Sequence, residues 1–176
     1  YFIAFTGLTN ILIFFLQESL NWTTKASSGT LVVVGVIAII VQGGLIGPLV
    51  KKFGEMRLTL IGSGFILLAC FLLITTPQEN AIVNIYSAVS FLAVGAGLIT
   101  PTLRALISKK LDGDNQGSIL SNLQGLQSLG GVLGIGMAGR VYDDFGPKAP
   151  FIAGSIILLF MIYLIIEGKN NNISYN

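Results

Sequence analysis

The chain has 176 residues, of which 53% are hydrophobic and 10% charged. A soluble domain carries roughly 25% charged residues, so the polar surface here is too small to clothe a water-soluble fold, and the solvent must be lipid. A net charge of +2 with no Lys or Arg run beyond two residues excludes a nucleic-acid footprint. The absence of His and the single Cys70 exclude a zinc site and a disulfide framework.

A helix crosses a bilayer with about 20 largely apolar residues, because lipid cannot satisfy bare backbone polar groups. Six such runs are expected, over 1–19, 29–50, 58–76, 82–107, 117–140 and 148–166. The first holds Thr6, Thr9, Asn10 and Gln17, and the second places Gln42 ahead of Gly43, Gly44 and Gly47. The third is one of the two greasiest runs. Ser87, Ser90, Thr100 and Arg104 mark the fourth; Ser121, Asn122, Gln124, Gln127 and Ser128 mark the fifth; the sixth is again apolar. Turn-forming breaks separate the runs: Asn21-Trp22-Thr23, Lys51 to Glu55, Pro77 to Asn80, Asp112 to Asn115 and Asp143 to Pro147. No linker is long enough to hold a second domain.

The expected fold class is therefore all-α, a polytopic membrane protein built as one six-helix bundle over residues 1–176. Polarity recurs every three helices. Spans one and four read as cavity-lining, two and five as rich in small residues, three and six as lipid-facing, and two three-helix repeats are the simplest cause. Basic residues give the orientation. Lys51, Lys52, Arg57, Arg104, Lys109, Lys110 and Lys169 fall on one side, against Lys25, Arg140 and Lys148 on the other. The positive-inside rule places the first group, with both termini of this segment, in the cytoplasm. Tyr1 stands where an initiator Met would, and the first span begins at residue one, so a fragment of a longer protein is expected.

Asn10, Phe14 and Gln17 share one face of the first span and would present two amides and a ring to a cavity; the rival reading is hydrogen bonding between helices. Arg104 can snorkel to the interface or pair with an acid from another helix, and snorkelling is the expected role. Gly125, Gly130 and Gly134 lie on a side-chain-free strip that lets another helix approach, with Gly130 and Gly134 as a GxxxG pair. The run from Gly134 to Gly139 also satisfies GxGxxG, but no strand precedes it, so a dinucleotide site is rejected. No His and no mid-span Asp or Glu are present, which leaves an intramembrane enzyme without nucleophile, base or metal.

The stretch Gly47-Pro48-Leu49-Val50-Lys51-Lys52-Phe53-Gly54-Glu55-Met56-Arg57 resembles the signature loop of the major facilitator superfamily, in the copy between helices eight and nine of its drug exporters. Lys52-Phe53-Gly54-Glu55 is similar to tetracycline-type proton antiporters, though Lys51 stands where the usual motif has aspartate. Gly95 to Pro101, Ile107-Ser108, and Gln116-Gly117 through Gln124 and Leu129 to Gly134 and Asp143 resemble helices ten and eleven of the same exporters. The usual glycine-proline pair is missing after Gly134.

The resemblance implies the C-terminal six-helix half of a twelve-helix transporter, with the N-terminal half not in this chain. It implies alternating access in the plasma (inner) membrane, and proton-coupled efflux of a small amphipathic drug. Under it Asn10, Phe14, Gln17, Ser90 and Gln124 would line the substrate path, and Gly47, Lys51, Lys52, Gly54 and Arg57 would form the cytoplasmic gate. No cofactor is implied. A metabolite or sugar carrier of the same fold, or a non-transporting membrane scaffold, are the alternatives.

Overall fold

The computed structural model describes residues 1–76, 81–109 and 116–173, and every described element is helical. The helices are α1 (Phe2–Leu20), α2 (Thr24–Phe53), α3 (Glu55–Thr75), α4 (Ala81–Lys109), α5 (Gln116–Phe145) and α6 (Ala149–Ile173). The predicted breaks at 77–80 and 112–115 lie outside the described residues.

Five of these helices, α1, α2, α3, α4 and α6, are long and apolar enough to cross a membrane. The fifth, α5, has the length at 30 residues, but its Gln, Asn, Ser and Gly content keeps it outside that class. The chain is thus a multi-pass membrane protein, and among the described residues five of the six expected spans have clear membrane character.

Local chemistry explains the boundaries. Asn21 ends α1 in the left-handed region at φ 52, and the Asn21 and Trp22 amides both donate to Leu16 O, satisfying carbonyls that α1 leaves bare. Thr23 then caps α2, its Oγ1 accepting from the Ala26 amide at 3.3 Å. That cap starts α2 at Thr24 rather than near residue 29.

Within α2 the backbone widens into a π turn at Val41–Leu45, where the Ile46 amide reaches back five residues to Val41 O. Pro48 follows shortly after. Proline donates no amide hydrogen to the carbonyl four residues earlier, so this stretch combines two departures from regular α geometry.

The main core joins four helices. Leu8, Leu12, Phe15 and Leu16 of α1 meet Ile66, Ala69 and Leu73 of α3, Ile85, Val89 and Leu92 of α4, and Phe151 and Leu158 of α6. Phe15 and Phe151 meet edge to face, with centroids 5.2 Å apart. A smaller cluster of Val41, Leu58 and Leu98 seats α2 on α3 and α4.

Two contacts depend on glycine. A Cβ added to Gly95 of α4 would lie 2.6 Å from Gly62 O of α3, and one on Gly62 would lie 2.9 Å from Gly95 O. Likewise Gly134 of α5 sits on the Ile3 backbone of α1, while a Cβ on Gly7 would lie 2.8 Å from Gly134 O. Bare backbone meets bare backbone at both crossings.

Polar bonds lock the same pairs. The buried hydroxyls of Thr59 and Thr102 meet at 2.9 Å between α3 and α4, and Tyr142 Oη of α5 donates to Glu18 Oε2 of α1 at 2.7 Å.

The third span departs from its expected lipid-facing character. Leu58, Thr59, Gly62, Ser63, Ile66, Ala69, Cys70 and Leu73 form a buried face along α3, and Ile61, Leu68 and Phe71 an exposed one. The second span shows the opposite. Only Ser27, Thr30 and Val41 of α2 are buried, while Leu31, Val32, Val36, Ile39, Ile40 and Leu45 are exposed.

Candidate substrate path and gate

Helix α1 lies in the main core yet keeps one polar side open. Asn10 is exposed, and among the described residues its Nδ2 donates only to Thr6 O of its own helix at 2.9 Å. One turn on, Phe14 is 56% exposed, so a large ring stands free on a helix that belongs to the main core. Gln17 is half-buried beyond it. The open edge of α1 thus offers an amide and an aromatic face together.

The remaining path residues lie elsewhere. Ser90 is half-buried on α4, its Oγ donating to Tyr86 O at 2.7 Å, and it borders a shallow depression with Ile82, Val83, Tyr86, Ser87 and Phe91. Gln124 is exposed on α5. Among the described residues no hydrogen bond or ring contact joins Asn10, Phe14 or Gln17 to Ser90 or Gln124.

What the structure does join is Gln124 with Arg104. The Arg104 guanidinium crosses from α4 to α5, its Nη2 donating to Gln127 Oε1 at 2.8 Å and more weakly to Gln124 Oε1 at 3.5 Å. Among the described residues a neighbouring pair of amides holds its guanidinium. The available signal was the spacing of the two glutamines, three residues apart on one face of α5. Beside this bridge, Tyr1 Oη and Thr100 Oγ1 share a hydrogen bond at 3.2 Å, linking the start of α1 to α4.

The basic loop is a helix end, a glycine and a helix start. Lys51 and Lys52 occupy the last turn of α2 and Glu55 the first turn of α3, each charge matching the dipole of its own helix end. Lys51, Lys52 and Arg57 are exposed, and Lys52 Nζ lies 5.3 Å from the centroid of the Phe53 ring. Gly47 is exposed too, with nothing within 4 Å of where a Cβ would sit.

Gly54 makes the turn possible. At φ 77 and ψ 158 it occupies a region essentially closed to any residue with a Cβ. Gly54→Ala is expected to cost about 1–3 kcal/mol through backbone strain alone, since nothing within 4 Å would obstruct the new methyl. Melting of the detergent-solubilised protein checks this against Gly64→Ala, an equally open site inside α3 where alanine fits the helix. Only the first variant should melt lower.

On α5, Gly130 lies against Phe2 and Ile3 and Gly134 against Ile3, whereas a Cβ on Gly125 would meet nothing within 4 Å. The GxxxG pair faces α1. Gly125 is exposed, with open space beside it.

Comparison with known proteins places these features in a family. The Major Facilitator Superfamily model matches residues 1–135. The tetracycline resistance protein, class H, of Pasteurella multocida is 30% identical over 124 residues, covering 70% of this chain and 30% of that protein. The class C tetracycline resistance protein of Escherichia coli is 27% identical over 127 residues, covering 69% and 30%. Multidrug resistance protein 2 of Bacillus subtilis (strain 168) is 23% identical over 189 aligned positions, covering the whole of this chain and 46% of that protein. The chain thus spans less than half the length of each of these relatives, and no solved structure matches it. On a family match that covers most of its length and a bundle of long apolar helices, this chain belongs to the Major Facilitator Superfamily, a family of membrane transporters and not of enzymes.

Proposed function

We propose that the chain is the C-terminal six-helix half of a twelve-helix exporter, made of two three-helix repeats, with α5 as the sixth crossing. It moves a small amphipathic compound out of the cell by alternating access, coupled to protons. The fraction of each resistance protein that the chain covers supports a half-size segment, and what those relatives are named for supports drug efflux.

The observation that carries the reading is the open side of α1. An exposed amide such as Asn10 is costly against hydrocarbon, so a helix that presents it beside a free Phe14 ring needs a wet path or another part of the protein opposite. Lipid is the poorest partner. In this reading Asn10, Phe14, Gln17, Ser90 and Gln124 line the path, and rings with a few amides suit a site that accepts several amphipathic molecules. Lys51, Lys52 and Arg57, turned by Gly54 and with Gly47 above them, form the cytoplasmic gate. Both ends of the segment lie in the cytoplasm, and the membrane is the plasma membrane.

Proton-driven efflux of a fluorescent dye from inverted vesicles tests the proposal, using the protein encoded by the complete gene and its Asn10→Ala, Gln17→Ala double variant. Efflux should fall at least about 10-fold in the double variant, the loss of one or two desolvated hydrogen bonds to substrate, with normal membrane insertion. If the complete protein moves no dye under any gradient, drug export is the wrong function.

A further inference from the structure

Helix α2 is built in two parts. Its regular hydrogen bonding is interrupted twice within a few residues: at the π turn Val41–Leu45, closed by the Ile46 amide on Val41 O, and at Pro48, which brings no amide hydrogen to Gly44 O. Side chains do not make up the loss. Gly43, Gly44 and Gly47 are exposed, and nothing lies within 4 Å of where their Cβ atoms would sit.

The parts on either side of the turn are held differently. On the N-terminal side Ser27 and Thr30 are buried, and Val41 sits in the notch left by Gly97 of α4, where an added Cβ would lie 2.9 Å from Val41 Cγ1. That part is anchored. Beyond the turn, Ile46–Phe53 has no buried residue, and Ile46, Leu49 and Val50 only lean on the small cluster of Val41, Leu58 and Leu98. Its far end is Gly54, whose φ of 77 breaks the helix before α3. Residues 46–53 therefore have a joint at each end and little packing between, and they carry Lys51 and Lys52.

From this placement we infer that residues 46–53 swing as a unit about the Val41–Leu45 turn, with Val41 as the fixed pivot, and so reposition the two lysines while the rest of α2 stays in place. The inference rests on the gate reading above and adds a moving part to it. From the middle of the turn to Phe53 the segment is about 15 Å long, so a swing of about 20° displaces its tip by about 5 Å.

Pairs of nitroxide labels on the full-length protein in nanodiscs measure this, with Cys70 and any cysteine outside this segment replaced by alanine. Phe53 with Ile166 and Val32 with Ile152 join the same two helices, α2 and α6, at opposite ends, and all four residues are exposed. The Phe53–Ile166 distances should spread more widely than the Val32–Ile152 distances, by about 5 Å for that swing. In Gly43→Ala, Gly44→Ala, Pro48→Ala, which restores the missing amide and places its two new methyls in open space, the spread should shrink to that of the other pair and efflux should fall. Pro48→Ala alone should shrink it in part, and it decides the matter if the triple variant does not fold.

Equal spreads in the unaltered protein, narrow or wide, mean that α2 is fixed or moves as one rod, and either overturns the inference. A spread that survives the substitutions overturns it as well. The gate reading is tested separately by Lys51→Gln, Lys52→Gln: unchanged efflux in that variant removes the gate and leaves the hinge, whereas lost efflux beside equal spreads keeps the gate and removes the hinge.

Discussion

Replacing Gly95 with leucine is expected to prevent the chain from reaching a stable fold. The α3–α4 crossing is the most extensive contact between helices in the chain, and at its centre a Cβ on Gly95 would lie 2.6 Å from Gly62 O, 2.6 Å from Ile66 Cγ1 and 3.1 Å from the Ile66 amide nitrogen. Two of these three neighbours are backbone. A side chain can rotate away, but a carbonyl inside a hydrogen-bonded helix moves only if the whole helix moves. Overpacking costs about 1–3 kcal/mol even where side chains can yield, and the leucine adds three further carbons that must enter the same gap. Separating the helices would also lengthen the buried Thr59–Thr102 hydrogen bond, now 2.9 Å, and leave two hydroxyls unpaired across the interface.

Cys70 offers the readout, because it is buried on α3 and becomes reactive to a thiol dye when the bundle opens. Gly95→Leu should show early dye reaction or no monodisperse protein at all. Gly95→Ala should melt about 10 °C lower, a shift of the order expected for a few kcal/mol in a chain of this size. A melting curve for Gly95→Ala that overlays the unaltered protein would mean that α3 and α4 do not touch as described.

Why such a crossing was only partly legible in the sequence follows from the solvent. In water a buried face stands out as apolar against polar, but in lipid both faces of a span are apolar, so hydropathy marks the helix and not its packed side. For α3 that ambiguity led to the wrong side: its even greasiness suggested a lipid-facing helix, yet Gly62, Ser63, Ile66, Ala69 and Cys70 are buried. For α2 the turns were readable, but the early start at Thr24 depends on a Thr23 cap that a hydropathy window overlooks.

Polar residues were easier to notice than to pair. Arg104, Gln124 and Gln127 could each be picked out as costly inside a membrane, but that one fork would meet both amides depends on the rotation of α4 against α5, which no single helix encodes. The loop at Gly54 was the most legible feature. Its glycine and flanking charges have local causes, and local causes are what a sequence records directly.

The second large effect separates two glycines that the sequence treats as equals. Gly134 and Gly136 stand two residues apart in the same glycine-rich stretch of α5, so they point to different sides of the helix. Gly134 is buried and rests on the Ile3 carbonyl, and opposite it a Cβ on Gly7 would lie 2.8 Å from Gly134 O and 3.1 Å from the Ala138 Cβ. Gly136 is exposed, and nothing lies within 4 Å of its virtual Cβ. Gly134→Leu should therefore push α1 off α5, break the Tyr142–Glu18 bond at the far end of that contact, and lower the Cys70-detected melting temperature by about 10 °C or more. Gly136→Leu should leave the internal packing of this bundle intact and melt within about 2 °C of the unaltered chain, as substitutions outside packed contacts do.

The contrast also bears on the proposed architecture when both variants are made in the complete protein. If the open faces of α5 and α2 meet a second half, Gly136→Leu should insert and bind dye while losing most of its efflux, because the added side chain would obstruct movement between halves and not the folding of this one. Full efflux by Gly136→Leu would mean that this side of α5 faces lipid, and the contact between halves would have to be sought on other helices.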